Sequence, residues 1–363
     1  MKFSAINFPC PGCGASQVYS PYTGRLTCDF CGNETEIPSE TQPLLSDDYL
    51  TALASPPTKA EEDPSLKREV ACKKCGANFT LSPKLFASHC PYCSTPAMIE
   101  ALQKITPQAL LPFTISQKKA QEHFKEWVGS RWFAPNAFKA YLDESKKLIG
   151  YYFPFWIYDT QTVTHYEGKR GDTYYVTVTK SVVVDGKEEL RDVEESRMRW
   201  TEVSGIVDAA FDDLTIAASH TIDRSRLDAI EPWPTAQLTH FDLHYISGFE
   251  AEEYAVEIDE GFDLAKDKMT PKIRSQIKSD IGGDEQQIDS IDTKYNNIGY
   301  KSVLFPAWIA SFVWNNKTYE YAINAQTGKI VGERPYSIMK IVFAVATVAL
   351  IIGGALYYNH IKG

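Results

Sequence analysis

Cys10-Pro11-Gly12-Cys13 and Cys28-Asp29-Phe30-Cys31 are followed by Cys72-Lys73-Lys74-Cys75 and Cys90-Pro91-Tyr92-Cys93. These four Cys-x-x-Cys pairs hold all eight cysteines of the chain. Within each set 14 residues separate the two pairs, and the second set repeats the first 62 positions later. Two thiolates two residues apart on a tight turn can share one tetrahedral zinc. A second such turn, returned by a short hairpin, completes a four-sulfur site. The spacing therefore predicts two zinc ribbons with two structural zinc ions, held by Cys10, Cys13, Cys28 and Cys31 and by Cys72, Cys75, Cys90 and Cys93. With every ligand position filled by sulfur, neither metal keeps a place for a reactive water. Gly14, Gly32 and Gly76 follow three of the pairs, where a glycine permits the tight turn. Ser94 stands in the fourth place. Dithiol redox chemistry normally shows one such pair inside a strand–helix unit, not four in matched duplicate. His89, beside Cys90, reads as a loop histidine because four sulfurs are already present.

Outward from the cysteines the chain divides unevenly. Residues 6–38 and 70–100 read as the two ribbons. Residues 39–69 are rich in proline and acid and read as a flexible linker, although Leu44, Leu45, Tyr49, Leu50 and Leu53 would also suit a short docking helix. Residues 105–335 form an α+β domain. Helices are expected after Ser116, with Ala120, Phe124, Trp127 and Val128 inward, and after Asn136, with Phe138, Tyr141 and Leu142. A third places Ile273, Ile277 and Ile281 on one face before Gly282-Gly283. Tyr151–Tyr158 is a strand that Pro154 confines to an edge, a start or a bulge. Tyr174–Val184 and Glu188–Trp200 form a hairpin through Asp185-Gly186, and Tyr300–Trp314 and Lys317–Asn324 another through Asn315-Asn316. Phe153-Pro154-Phe155-Trp156-Ile157 matches Phe305-Pro306-Ala307-Trp308-Ile309 at four of five positions. Two related α+β halves would produce this, and so would chance.

Residues 338–358 read as one transmembrane helix, leaving a short tail at 359–363. The 18 residues Ile341–Tyr358 would span about 27 Å as a helix, close to a bilayer core. The mean hydropathy of −0.28 excludes a multi-span protein and leaves room for this single segment. The start of the chain lacks a signal-peptide run. Lys329, Arg334 and Lys340 precede the span and Lys362 alone follows it. This bias, with the reducing compartment that free thiolates need, predicts a cytosolic body on the cytoplasmic membrane.

The 37 basic and 47 acidic residues give a net charge of −10, which argues against broad DNA wrapping. Residues 101–333 carry 26 basic and 36 acidic side chains and so hold the whole excess. Glu250–Glu253, Glu257–Glu260 and Asp280–Glu285 read as solvated acidic faces, or as docking surfaces for a basic partner or a cation. Ribbon 2 is basic through Lys73, Lys74 and Lys84, which keeps a nucleic-acid or replication-associated role open. No phosphate-binding loop, nucleophile elbow, zinc-protease or dinucleotide motif is present, so no catalytic residue is assigned and the chain is read as a non-enzyme. His240 and His244 lack a third metal partner and read as structural.

The paired ribbons, Arg131-Trp132-Phe133-Ala134-Pro135-Asn136, Phe153-Pro154-Phe155-Trp156, Gly168-Lys169-Arg170-Gly171-Asp172, Ile281-Gly282-Gly283-Asp284-Glu285 and Gly332-Glu333-Arg334-Pro335-Tyr336-Ser337 carry a resemblance. The chain resembles a bacterial family of TFIIB-type zinc-ribbon membrane proteins, some labelled primosomal protein N′ or superfamily II helicase. The ATP-binding motifs of a helicase are absent. Relatives occur beside phage-shock protein A homologues and SPFH-domain proteins. The resemblance implies an accessory role, recruiting such proteins to the membrane under envelope stress. Of the family's functional positions, only the eight cysteines carry over.

Overall fold

The computed structural model describes all residues except 1, 39–41, 55–67, 83, 100–104, 136, 138–147, 185–186, 334 and 363. The helix expected after Asn136, with Phe138, Tyr141 and Leu142, therefore lies outside the described residues, as does most of the 39–69 segment.

The chain starts with β1 (Lys2–Ser4), and ribbon 1 is β2 (Val18–Ser20), β3 (Arg25–Thr27) and β4 (Glu34–Thr35). It is seated on the main domain. Tyr19 and Leu26 are buried in the domain core, Tyr19 N–H donates to Ser247 O, and its hydroxyl donates to Phe113 O. β5 (Asp47–Asp48) and α1 (Tyr49–Ala54) follow. Here the passive linker is corrected. β5 pairs with the main sheet at Gly299 and Tyr300, and Tyr49 packs buried against Phe262 and Tyr158. Of the apolar residues that looked out of place in a linker, Tyr49 supplies that contact and Leu44 packs at the edge of the domain core, while Leu45, Leu50 and Leu53 remain exposed.

Ribbon 2 is β6 (Arg68–Ala71), β7 (Asn78–Leu81), β8 (Leu85–His89) and β9 (Pro96–Met98). β1 pairs in parallel with β6, so the chain start completes the second ribbon rather than the first. His89 ends strand β8 rather than lying in a loop.

The main domain contains β10 (Ala109–Leu110), α2 (Gln117–Gly129), β11 (Ile149–Val184), β12 (Lys187–Ala217) and α3 (Arg224–Ala229). It continues through β13 (Thr239–His240), α4 (Leu243–Ile246), β14 (Glu250–Glu252), α5 (Ile258–Ile281), β15 (Glu285–Trp314), β16 (Lys317–Asn324) and β17 (Ile330–Gly332). Ser116 caps α2, accepting from Lys119 N–H, and Ala120, Phe124 and Val128 face inward. α5 buries Ile273, Ile277 and Ile281 and ends at Gly282, as the four-residue spacing requires.

The Phe-Pro repeat is a structural repeat. β11 and β15 pair antiparallel with Phe153 opposite Phe305, which relates the halves by a local two-fold. β14 joins β11 in parallel at Tyr151 and Tyr152, and β10 joins β15 in parallel at Val303 and Leu304. The Trp156 indole donates to Val256 O at 2.9 Å, just before α5. The Trp308 indole donates to Ile115 O at 2.8 Å, just before α2. The halves interlock: α2 packs Phe124 on Tyr321 of the β15–β16 hairpin, while α5 packs Phe262 on Tyr158 of the β11–β12 hairpin. Both helices lie on one face of the sheet. Phe153, Phe155 and Phe305 point to the other face, where Leu227, Ile230 and Trp233 cover them.

Pro154 sits inside a long strand, and the register explains why it is tolerated. The β11–β12 ladder ends at Phe155 opposite Ala217, and Pro154 O accepts the next N–H, from Ala218. Pro306 stands in the same place: the β15–β16 ladder ends at Ala307 opposite Asn324, and Pro306 O accepts from Ala325. Each proline lacks its donor where a ladder stops.

The first hairpin is far longer than its sequence pattern suggests, because β11 starts at Ile149 and β12 runs on to Ala217. At about 3.3 Å per residue, the 36 residues of β11 reach roughly 115 Å. β15 accompanies β11 only as far as Gly171, so the outer part is a two-stranded arm. Finally, α6 (Ile338–Lys362) contains the segment Ile338–Asn359, with mean hydropathy 2.3 and none of it buried. It is long and apolar enough to cross a membrane.

Candidate metal centres

Each half of a ribbon supplies one knuckle, and the four knuckles share one backbone geometry. The N–H groups of Gly14, Gly32, Gly76 and Ser94 donate to the carbonyls of Cys10, Cys28, Cys72 and Cys90, at 2.8–2.9 Å. All four of these residues have positive φ, and Ser94 takes this conformation (φ 55°) without glycine's freedom. The N–H of the first cysteine of each pair closes the turn on the residue five positions later: Ala15, Asn33, Ala77 and Thr95.

This brings the sequence-predicted ligands together as two sets. Cys10, Cys13, Cys28 and Cys31 form one cluster, and Cys72, Cys75, Cys90 and Cys93 the other, with all sulfurs of a set within 4.8 Å of one another. Cys10 and Cys31 Sγ are 3.5 Å apart, Cys13 and Cys28 3.5 Å, Cys72 and Cys93 3.6 Å, and Cys75 and Cys90 3.8 Å. A tetrahedron with metal–sulfur bonds of about 2.3 Å has edges of about 3.8 Å, whereas a disulfide requires about 2.05 Å. The donor set and its spacing fit one structural zinc ion per cluster. Bound there, the metal ties together the two knuckles of each ribbon, beside a small core of Val70, Phe79, Leu81, Ala97 and Ile99 in ribbon 2.

The surroundings favour thiolate at Cys28 and Cys93, whereas at Cys13, Cys31 and Cys75 the opposing backbone hydrogen bonds are outweighed by the neighbouring sulfurs and burial, which push these thiols up. The Cys31 and Phe30 backbone N–H groups hold the Cys28 thiol down to about 7. The Thr95 hydroxyl, 3.3 Å from Cys93 Sγ, and the Thr95 N–H hold Cys93 down to about 6. Gly12 N–H points at Cys10 Sγ from 3.4 Å. In each set one cysteine of every pair is buried, Cys10 with Cys28 and Cys72 with Cys90, while Cys13, Cys31 and Cys75 are exposed.

The other flagged residues turn inward. Glu252 is buried, its Oε2 accepting from the Ser219 hydroxyl at 2.6 Å. Glu253 receives Arg68 at 2.7 and 3.4 Å in a pair that is less than a tenth exposed on either side. This part of the acidic cluster is thus a seam: β14 pairs with β8, and Arg68 ties ribbon 2 to the domain. The solvated-face reading fails there because both carboxylates are removed from water. Asp280 accepts the Tyr166 hydroxyl. Asp284 accepts Thr173 N–H at 2.7 Å while its own N–H donates to Gly171 O. This brings the Gly168–Asp172 and Ile281–Glu285 motifs together at the base of the arm. A Cβ on Gly283 would come within 2.8 Å of Gly171 O, so glycine is required by close approach as well as by its positive φ. Neither motif shows this role by spacing, because the partners are more than 100 residues apart.

His240 lies in β13 with its ring against Gln42 O, and His244 lies in α4 beside Asp242, stacked on Phe8. The two rings thus turn to different partners. In ribbon 2, Lys74 stands over the Phe30 ring of ribbon 1 at 5.3 Å, so part of the basic patch joins the two ribbons.

No family model and no solved structure matches the chain. It is similar to an uncharacterized protein, YdjG, of Bacillus subtilis (strain 168), with 27% identity over 346 residues that cover 92% of this chain and 91% of that protein. Two four-cysteine clusters fitted to zinc and one apolar helix of membrane-crossing length give the chain the make-up of a membrane-anchored zinc-ribbon protein.

Proposed function

We propose that the chain is an adaptor that holds a partner protein at the cytoplasmic membrane, with its ribbons and α+β domain in the cytosol. The observation that carries this reading is the two-stranded arm. Beyond Gly171, among the described residues, β11 and β12 pair only with each other, from Asp172–Arg199 to Val184–Lys187, a reach of about 40 Å. A lone two-stranded ribbon is marginal in water and offers little concave surface for chemistry. Its two faces differ. One carries Lys180, Arg191, Arg197 and Arg199 with Asp172 and Glu195, joined by the Lys180–Glu195 and Arg197–Glu195 pairs. The other carries Asp192 and Glu194 and, among the described side chains of that stretch, no basic residue. Exposed Tyr175 and Leu190 lie on the acidic face. Such a surface suits a protein contact of some length, and attachment to a membrane raises the local concentration of the contact. The family resemblance supports a phage-shock protein A-like or SPFH-domain partner and a part in envelope stress.

Removing the ribbons is a poor test, because Tyr19, Leu26, Phe86 and Met98 belong to the domain core. The arm can be removed alone. A chain with residues 173–199 replaced by a two-residue turn is expected to reach the membrane, keep both zinc ions and lose its co-purifying partner. Retention of every partner at the level of the intact chain overturns the proposal. Binding of nucleic acid in place of a protein, lost on Lys73→Ala and Lys74→Ala, would establish the alternative role.

A further inference from the structure

The loop Arg131-Trp132-Phe133-Ala134-Pro135 follows α2 and has no part in the zinc sites, the arm or the sheet. It rests on the start of α6. Ser337 N–H donates to Phe133 O at 2.8 Å, and the Lys340 ammonium donates to Trp132 O at 3.0 Å and to Ala134 O at 2.8 Å. We propose that this loop is a lipid-contacting collar, with Trp132 and Tyr336 lying in the headgroup region of the bilayer that α6 enters.

The height of the collar follows from Lys340. This lysine lies in the first turn of the apolar segment Ile338–Asn359. An ammonium is not left in hydrocarbon, and a lysine near a helix end bends back until its charge reaches the interface. Here it reaches the Trp132 and Ala134 carbonyls. Those carbonyls therefore stand at the level of the Lys340 charge, which is the headgroup level. Trp132 is 56% exposed and Tyr336 57% exposed, both beside the point where the span begins. Tryptophan and tyrosine are the residues that favour this level, having an apolar ring and a polar edge. The domain stays close to the bilayer, because only five residues, at most about 18 Å when extended, separate Gly332, the end of β17, from Ile338. The loop and α6 would then act as one rigid joint, fixing how the domain and its arm stand on the membrane.

The test uses the full chain in lipid nanodiscs, with or without lipids brominated high on the acyl chain, where bromine quenches indole fluorescence on contact. The chain has seven tryptophans and α6 has none, so the difference between wild type and Trp132→Phe isolates the residue. Brominated lipid is expected to quench the wild type, and Trp132→Phe is expected to lose most of that quenching. Lys340→Gln is expected to stay in the disc and to show weaker quenching, because the loop is released from the helix. No quenching of the wild type, equal quenching in Trp132→Phe, or an unchanged Lys340→Gln overturns the collar.

Discussion

Glu252 links pH to the stability of the seam between ribbon 2 and the domain. The residue is 2% exposed, Oε2 accepts from Ser219, and Oε1 has no hydrogen-bond partner among the described residues. Burial pushes the carboxyl up from 4.5 to about 7, against the opposing effect of the Ser219 and Thr221 hydrogen bonds. At about 1.4 kcal/mol per pH unit, the interval corresponds to about 3 kcal/mol. The folded state binds this proton more tightly than the unfolded state does. Its contribution is therefore full below pH 4.5, is lost progressively as the pH rises to about 7, and stays lost above that. Glu252→Gln keeps an oxygen for the Ser219 hydroxyl and never carries the charge. It should stabilise the chain by up to about 3 kcal/mol at pH 8, and by less than about 1 kcal/mol at pH 5. Thermal unfolding of the zinc-loaded chain in detergent, followed at both pH values, would show a higher Tm for the variant, on the order of 5 °C, at pH 8 only. An equal gain at the two pH values, or a loss at pH 8, would refute the reasoning, since either means that Glu252 is not carried as a buried acid.

The metal content should be two zinc ions per chain by mass spectrometry under native conditions; Cys13→Ser and Cys75→Ser should each leave one, and loss of both ions in either variant would show that the clusters are not independent. The two-fold repeat predicts matched consequences at equivalent positions: Trp156→Phe and Trp308→Phe each remove one buried indole N–H···O bond, and each should cost about 1–2 kcal/mol in denaturant unfolding. A several-fold difference between them would mean that the halves are not energetically equivalent. Gly283→Ala should destabilise the base of the arm by about 1–3 kcal/mol, because a left-handed residue gains a Cβ against a backbone carbonyl. It should also raise proteolytic cleavage within residues 172–200 while leaving the zinc content unchanged.

What the sequence determined by itself was local. A zinc knuckle is closed within a few residues, so Cys-x-x-Cys and its following glycine state the site directly, and even Ser94 only replaces the glycine in the same turn. α2 and α5 follow from a cap or stop and from three- and four-residue apolar spacing, and the apolar run of α6 needs no partner to be recognised. The Asn315-Asn316 turn was legible because both residues tolerate positive φ. The shared Phe-Pro-x-Trp-Ile pattern pointed to two halves without deciding between repeat and coincidence.

Tertiary structure decided everything that depended on which distant segment stands opposite. Pro154 is acceptable only because the β12 ladder stops one residue away, which no local pattern records. β11 and β12 run through Gly168, Gly171 and Gly205, where side-chain or backbone atoms from other strands occupy the space a Cβ would need. Glu252 and Glu253 look like solvated acids in a charged run, yet strand pairing buries one and sets Arg68 against the other. Metal ligation is written at short range because four sulfurs and two tight turns suffice. The arm, the interlocked halves and the buried acid arise from long-range strand pairing, which a linear pattern does not contain.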